Sequence, residues 1–255
     1  MFRYLLNVSY IGTSFRGVQR QVSVKESRIP DTSTVQGQIE IGLKLLNSVN
    51  EPSVVLSSRT DAGVHAFHTT MHTNIQRLGN KPYEPGVITG CLNQYFFKNK
   101  LPIRILKTYL VPSDFHCRHN AISRTYLYRL IVINNHKKSL HVHLPIEEFH
   151  RSLFISYEGF DVDKMRESAK LFVGFHDFKT FMHREKYQGD KLTKKVIEIC
   201  DVNEDVQHWS NFYGWPACVT CNEADYKVYN IIIKANGFLY RQVSKPILFT
   251  KLFNA

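Results

Sequence analysis

The sequence of 255 residues has no uninterrupted apolar run that approaches the roughly 18 residues of a membrane-spanning helix. We therefore predict no membrane-spanning helix. Cysteines are also few, five in all, and their spacing is irregular. An odd number of cysteines without a signal peptide argues against a disulfide framework and favours a reducing compartment. Because the first residues already have the pattern of a strand, we expect no cleavable presequence and an intracellular protein, with cytoplasm, mitochondrion and nucleus left open.

Metal-ligand patterns are sparse as well. Cys218 and Cys221 form a lone C-x-x-C pair, but a structural zinc site needs a second pair of ligands, which the sequence does not place. His65, His68 and His72 recur at spacings of three and four without the glutamate of an H-E-x-x-H motif. We therefore predict structural histidines and no metal. A basic metal or redox protein built on the two cysteines is the weakest alternative.

Acidic residues are the scarcer charge. The chain has 33 lysines and arginines against 22 aspartates and glutamates, which gives a formal net charge of +11 and a pI near 9.4. Such a balance favours a polyanionic partner, nucleic acid before a membrane surface. The basic excess is spread along the chain, so we expect a broad positive surface rather than a basic tail.

The residues best suited to chemistry lie in the stretch 58–66, Ser-Arg-Thr-Asp-Ala-Gly-Val-His-Ala, directly after the apolar run 54–56. A strand that ends here would present Asp61 beside Arg59, and Gly63 permits a backbone turn. An arginine close to a carboxylate keeps it ionised and available as a nucleophile or base. The alternative is a structural loop, because Asp-Ala-Gly is also ordinary turn chemistry.

Residues 59–66 closely resemble the signature loop of the TruA-type tRNA pseudouridine synthases, and the resemblance extends over most of the chain. Four further segments resemble patterns of that family: Y-x-G-x-x-x-x-G-x-Q-x-Q at 10–21, D-F-H-A-R at 114–118, G-x-x-D-F-x-x-F at 174–181 and N-x-F-x-x-x-x-V-R from 236. Val18 stands where the family commonly has tryptophan, which weakens the case for base stacking at that position.

The resemblance implies an enzyme that isomerises uridine to pseudouridine in tRNA without a cofactor. It places the catalytic carboxylate on Asp61 and substrate-binding roles on Arg59 and Tyr126. The candidate RNA contacts are Arg16, Gln19, Arg20, Arg118 and Arg124. The family resemblance also implies a homodimer, and no membrane partner is expected.

Two tyrosines support an RNA-binding surface independently of the resemblance. Tyr126 and Tyr128 share one face of a strand predicted at 123–132, and Arg124 and Arg129 flank them. Aromatic rings between arginines form a plausible platform for base stacking. The alternative is that both tyrosines belong to the core, and only the resemblance ranks Tyr126 above Tyr128.

The apolar periodicity predicts an alternating α+β unit in the first half of the chain. Together with the family resemblance, it leads us to expect an α+β protein of two ferredoxin-like (RRM-like) halves, with antiparallel sheets around a central basic cleft. Residues 1–110 form the half that carries the Asp61 loop, and residues 111–255 form the other. A capping box that begins at Ser33 predicts the start of the first helix, and Pro85 suits the first turn of the second. Predicted strands cover 2–10, 54–56, 69–75, 103–110, 123–132, 196–202 and 226–235, and a third helix covers 161–172.

One departure from the family pattern lies near the C-terminus. Ser244 stands at the position of the family's arginine, and Pro246 would break or kink a helix that continued there. The chain ends a few residues later, which suggests a truncated or alternatively joined end. The alternative function is therefore a catalytically impaired RNA-binding member of the same fold.

Overall fold

The computed structural model describes residues 1–21, 31–133, 146–156, 160–181, 193–205 and 226–239. The chain divides into two units, Met1–Ala121 and Ile122–Ala255, each with its own internal contacts. Several predictions fall outside the described residues. They concern the C-x-x-C pair of Cys218 and Cys221, Ser244, Pro246 and the helix start beyond Leu239.

The first unit has the element order β-α-β-β-α-β. Its elements are β1 (Phe2–Tyr10), α1 (Val35–Lys44), β2 (Val54–Leu56), β3 (Ala66–Ile75), α2 (Pro85–Lys98) and β4 (Ile103–Val111). The strands pair in the order β2-β3-β1-β4, and every neighbouring pair is antiparallel. This order and direction are those of a ferredoxin-like fold, which confirms the prediction for this unit.

The core of the first unit lies between one face of this sheet and the two helices. Alternate residues of β1, from Tyr4 to Tyr10, are buried, as the period of two predicts. Helix α1 contributes Ile39 and Leu43, and α2 contributes Phe96 among others. Apolar side chains at helical spacing thus cover the sheet and fix its orientation.

The ends of both helices follow local sequence rules. Thr34 caps α1, because its hydroxyl accepts a hydrogen bond from the Gly37 amide at 3.2 Å. The predicted capping box had assigned this role to the preceding residue, Ser33. Pro85 begins α2, where its missing amide hydrogen costs no helical hydrogen bond.

The second unit contains a five-stranded sheet. Its elements are β5 (Arg124–Ile133), β6 (Ser152–Ser156), α3 (Val162–Lys170), β7 (Gly174–Asp177), β8 (Lys194–Glu204) and β9 (Tyr226–Ala235). The strand order is β6-β5-β9-β8-β7, and β5 pairs with β6 in parallel while the other pairs are antiparallel. The sheet is therefore mixed, whereas the sequence predicted antiparallel pairing. The long connection between β5 and β6 gives the chain room to return in the same direction.

The core of the second unit forms between α3 and the central strands. Met165 and Ala169 of α3 are buried together with Ile231 and Ile233 of β9. The overall prediction of an α+β fold with two sheets is confirmed. Among the described residues, no helix is both long enough and apolar enough to cross a membrane.

Candidate active site

The loop between β2 and β3 carries the predicted catalytic residue. Asp61 is partly exposed and begins a tight turn, in which the Val64 amide donates a hydrogen bond to the Asp61 carbonyl oxygen at 3.3 Å. Gly63 lies within this turn at φ +80°, in the left-handed region that glycine adopts without strain. Arg59, which precedes the turn, is exposed. The predicted turn at Gly63 is thus present, and it directs the backbone sharply around Asp61.

A second loop, residues 12–18 between β1 and α1, lies against this turn. The amide of Val18 donates to the carbonyl oxygen of Thr60 at 3.2 Å, and the amide of Gly63 donates to that of Phe15 at 3.4 Å. The amide of Gly12 donates to Nδ1 of His65 at 3.1 Å. The two loops are therefore joined by hydrogen bonds on both sides of Asp61.

Strand β1 supplies one more contact to this loop. The hydroxyl of Tyr10, a buried residue of β1, lies 2.7 Å from the hydroxyl of Thr60. Because Tyr10 belongs to the close-packed core, this hydrogen bond connects the residue just before Asp61 to the core of the unit. Thr60 is thus held both through its carbonyl oxygen and through its side chain.

Two glycines allow the loops to approach so closely. A Cβ atom added to Gly12 would lie 1.9 Å from the carbonyl oxygen of Val64, closer than any real contact. Gly17 has φ +111°, and a Cβ there would lie 3.1 Å from the carbonyl oxygen of Thr60. The close approach of the two loops therefore leaves no room for a side chain at Gly12 and favours glycine at Gly17.

The candidate RNA contacts in this region differ in their surroundings. Arg16 and Gln19 are exposed, as is Arg118 on the segment after β4. Arg20 instead forms an ion pair with buried Glu40, with 3.2 Å between Nη1 and Oε2. Arg20 thus has a structural partner that the sequence did not reveal, whereas the three exposed side chains face solvent.

Val18 is buried, with 1% of its surface exposed, and belongs to the core of the first unit. Its backbone amide still contacts the Asp61 loop through Thr60. A side chain in this position cannot stack on a base without leaving the core. The burial agrees with the weakened stacking role that the replacement of tryptophan implies.

A cluster of ligand-type side chains forms where the segment after β4 crosses the sheet. His72, His116 and Cys117 each place a nitrogen or sulfur atom within 4.8 Å of the others. Nδ1 of His72 accepts a hydrogen bond from the Cys117 amide at 3.3 Å and lies 3.1 Å from the Cys117 sulfur. Hydrogen bonding at Nδ1 of His72 thus holds Cys117 against β3.

The electrostatics of this cluster favour a neutral imidazole. Burial lowers the pKa of His72 from 6.5 to about 4, and the positive charges of Arg3 and His116 act in the same direction. Arg3 itself donates to the carbonyl oxygen of Phe115 at 2.6 Å, which fastens the crossing segment to β1. The sequence could not reveal the cluster, because Cys117 is 45 residues from His72 and meets it only in the tertiary fold.

In the second unit, two further candidates lie on β5. Nη1 of Arg124 donates to the carbonyl oxygen of Asn236 at 2.7 Å. The ring of Tyr126 meets that of Phe238 edge to face, with centroids 5.1 Å apart. Tyr126 and Tyr128 are both partly buried at the margin of the second core. Arg124 and Tyr126 therefore connect β5 to the residues that follow β9.

Taken within the first unit, the geometry suits a reaction that needs one fixed carboxylate. The side chain of Asp61 is neither fully buried nor fully exposed, and its backbone is held on both sides by the loop at 12–18. Such preorganisation keeps a catalytic group in place without a reorganisation cost during the reaction.

No protein-family model matches the chain. The chain is, however, 33% identical over 250 residues to the human protein tRNA pseudouridine synthase-like 1, covering 95% of this chain and 74% of the relative. It is 35% identical to the mouse protein of the same name over 95% of this chain and 77% of the relative. It is also 32% identical to tRNA pseudouridine synthase A of Paramagnetospirillum magneticum, over 99% of this chain and 80% of the relative. Identity at this level, over nearly the whole chain, shows that the protein belongs to the TruA-type tRNA pseudouridine synthase family.

Proposed function

We propose that this protein isomerises uridine to pseudouridine in tRNA and that Asp61 is its catalytic carboxylate. The observation that carries the proposal is the Asp61 turn, which hydrogen bonds join to the loop at 12–18, in a chain whose relatives are tRNA pseudouridine synthases. The formal charge of +11 agrees with a polyanionic substrate.

The reaction needs no redox change and no cofactor. The bond between C1′ of the ribose and N1 of uracil breaks, and the base turns. C5 of uracil then forms a new bond to C1′. In this process C5 loses a proton and N1 gains one. As in glycoside cleavage, a carboxylate stabilises or captures the electron-poor C1′. Water must stay out until the base is reattached, so the reaction needs a closed pocket.

The remaining candidates receive roles in recognition. A base in a stem has to leave the stack before an enzyme can act on it. We assign Arg59 to the flipped nucleotide or a neighbouring phosphate, and Tyr126 to the face of the base. Arg16, Gln19 and Arg118 are assigned to the tRNA backbone on the grounds of their exposure, and Arg124 is a further candidate. A homodimer is part of the same proposal.

Release of tritium from tRNA labelled at uracil C5 tests the function directly, since C5 loses its hydrogen when it bonds to C1′. We expect the wild-type protein to release tritium. Asp61→Asn should abolish release while tRNA affinity stays within a few-fold, because the amide keeps the shape of the side chain but removes its charge.

Asp201→Asn serves as the matched control, because Asp201 is an exposed acid of β8 that lies outside the segments resembling family patterns. This variant should retain wild-type release. An Asp61→Asn protein that kept most of its activity would reduce Asp61 to a turn residue. A wild-type protein that bound tRNA without releasing tritium would support the impaired RNA-binding alternative.

A further inference from the structure

His65 lies at the end of the catalytic turn, just before β3 begins at Ala66. Its side chain is partly buried, and Nδ1 accepts the hydrogen bond from the amide of Gly12 at 3.1 Å. The acceptor thus comes from a side chain, whereas the other two amide links between the loops end on carbonyl oxygens of the backbone. Of these three hydrogen bonds, the one to His65 is therefore the one whose acceptor a substitution can remove selectively.

The three hydrogen bonds between the loops act on different sides of Asp61. Thr60 is held immediately before Asp61, while Gly63 and His65 are held after it. The Gly63 contact is the longest of the three, at 3.4 Å, against 3.1 Å for His65. Without His65, the far side of the turn would keep the longer Gly63 contact to the loop at 12–18 and the strand contacts of Ala66 with Tyr10 and Ser9.

We propose that His65 is a positioning residue, which fixes the turn that carries Asp61 by accepting the hydrogen bond of the Gly12 amide. The inference rests on the proposed function, because the positioned group is the proposed catalytic carboxylate. Only a neutral imidazole with its proton on Nε2 can accept this hydrogen bond, since Nδ1 must present a lone pair.

The hydrogen bond between Gly12 and His65 also connects the Asp61 turn to a loop with a candidate RNA contact. Gly12 opens the loop that carries Arg16, an exposed candidate RNA contact, and Gln19, another, follows this loop directly. A tRNA that orders this loop would act on the Asp61 turn through the Gly12 amide. A displacement of about 1 Å at a catalytic group can cost about 100-fold in rate, so loss of the link should slow the reaction rather than weaken binding.

Three substitutions separate the hydrogen bond from the bulk of the side chain. His65→Asn places a carbonyl oxygen on the same atom position as Nδ1 and should keep the single-turnover rate within about threefold. His65→Gln moves the oxygen one carbon further, and His65→Leu removes it, so both should lose about 10-fold to 100-fold. The tRNA affinity should stay within about threefold in all three, because phosphate contacts dominate it. His68→Asn, at an exposed histidine of β3, is the matched control and should behave as wild type.

A second readout does not depend on activity. The chain has only 13 glycines, so the Gly12 amide can be followed by NMR in protein labelled with 15N-glycine. Its exchange with solvent should be slow in the wild type and in His65→Asn, and at least tenfold faster in His65→Gln and His65→Leu. Equal exchange in all four proteins, or an Asn variant as slow in turnover as the Leu variant, would overturn the proposal. A wild-type protein without tritium release would contradict the proposed function instead, and the exchange rates would still decide whether His65 holds the turn.

Discussion

The position of Asp61 depends on hydrogen bonds that neighbouring residues of its turn make. Its turn is fixed through Thr60 on one side and His65 on the other, and both contacts reach residues about 50 positions earlier in the chain. The sequence predicted the catalytic role of Asp61, which stays a prediction, and the turn at Gly63, which is present because a turn is a local feature. It predicted neither set of contacts, because they depend on how two loops meet in space.

Tyr126 and Tyr128 lead to different predictions for activity and stability. Both rings are partly buried, so truncation of either will cost some stability. We expect Tyr126→Phe to be milder than Tyr126→Ala in single-turnover rate, because the ring supplies stacking worth about 1 to 3 kcal/mol per base. Tyr128→Ala should mainly lower the melting temperature. Equal catalytic losses at the two positions would contradict the assignment.

His72 should make the fold sensitive to acid. Burial holds its pKa at about 4, whereas in the unfolded chain it is near 6.5, so the unfolded state binds a proton that the folded state excludes. The free energy of unfolding should therefore fall as the pH decreases from about 6.5 towards 4, by about 1 to 2 kcal/mol between pH 7 and 5. Urea denaturation at the two pH values measures this loss.

His72→Asn keeps an acceptor for the Cys117 amide but cannot titrate in this range. Its free energy of unfolding should depend less on pH than that of the wild type. His68→Asn removes an exposed histidine from the same strand and should leave the dependence unchanged. If His72→Asn lost as much stability on acidification as the wild type, the acid sensitivity would have another source.

At the level of elements, we expect replacement of glycine by alanine to change the free energy of unfolding in opposite directions at two positions. Gly12→Ala forces a Cβ against the carbonyl oxygen of Val64 and should lower the free energy of unfolding by about 1 to 3 kcal/mol, with a loss of turnover. Gly90→Ala lies in exposed space within α2, where no atom is within 4 Å of the new Cβ. It should stabilise the protein by about 0.5 to 1 kcal/mol. Urea denaturation and single-turnover rates check both, and a destabilised Gly90→Ala would show that α2 is constrained in another way.

The elements themselves were largely predictable. The alternation of β1, the proline at the start of α2 and the strand 226–235 all have patterns that depend on a single element. The beginning of β3 was predicted three residues late, because Ala66 enters the sheet by pairing with Tyr10 rather than by its own pattern. Strand β6 was not predicted at all, because its stretch of the chain lacks a clear apolar periodicity. Its parallel pairing with β5 depends on the connection and not on the residues within the strand.

For the molecule as a whole, the excess of positive charge predicts tRNA binding that weakens steeply with salt. Each phosphate contact contributes to the slope of log K against log salt. Arg16→Ala and Arg118→Ala remove exposed charges and should each reduce this slope by about 1. Arg20→Ala should change the slope less and the stability more, because it leaves the buried Glu40 carboxylate without its ion pair. Filter-binding titrations at several salt concentrations measure the slopes, and equal slopes for all three variants would contradict the distinction.

The joining of the two loops also has a consequence for how the protein folds. Residues 12–18 and 60–65 are distant in the chain, and they meet beside the place where Tyr10 of β1 pairs with Ala66 of β3. A slip by one residue would turn the side chains of a strand to the opposite face and separate Gly12 from its acceptor. Contacts of such high sequence separation form late, because the loop between them must first be closed. Catalytic competence should therefore appear only in the last step of refolding, after the secondary structure of the first unit is complete.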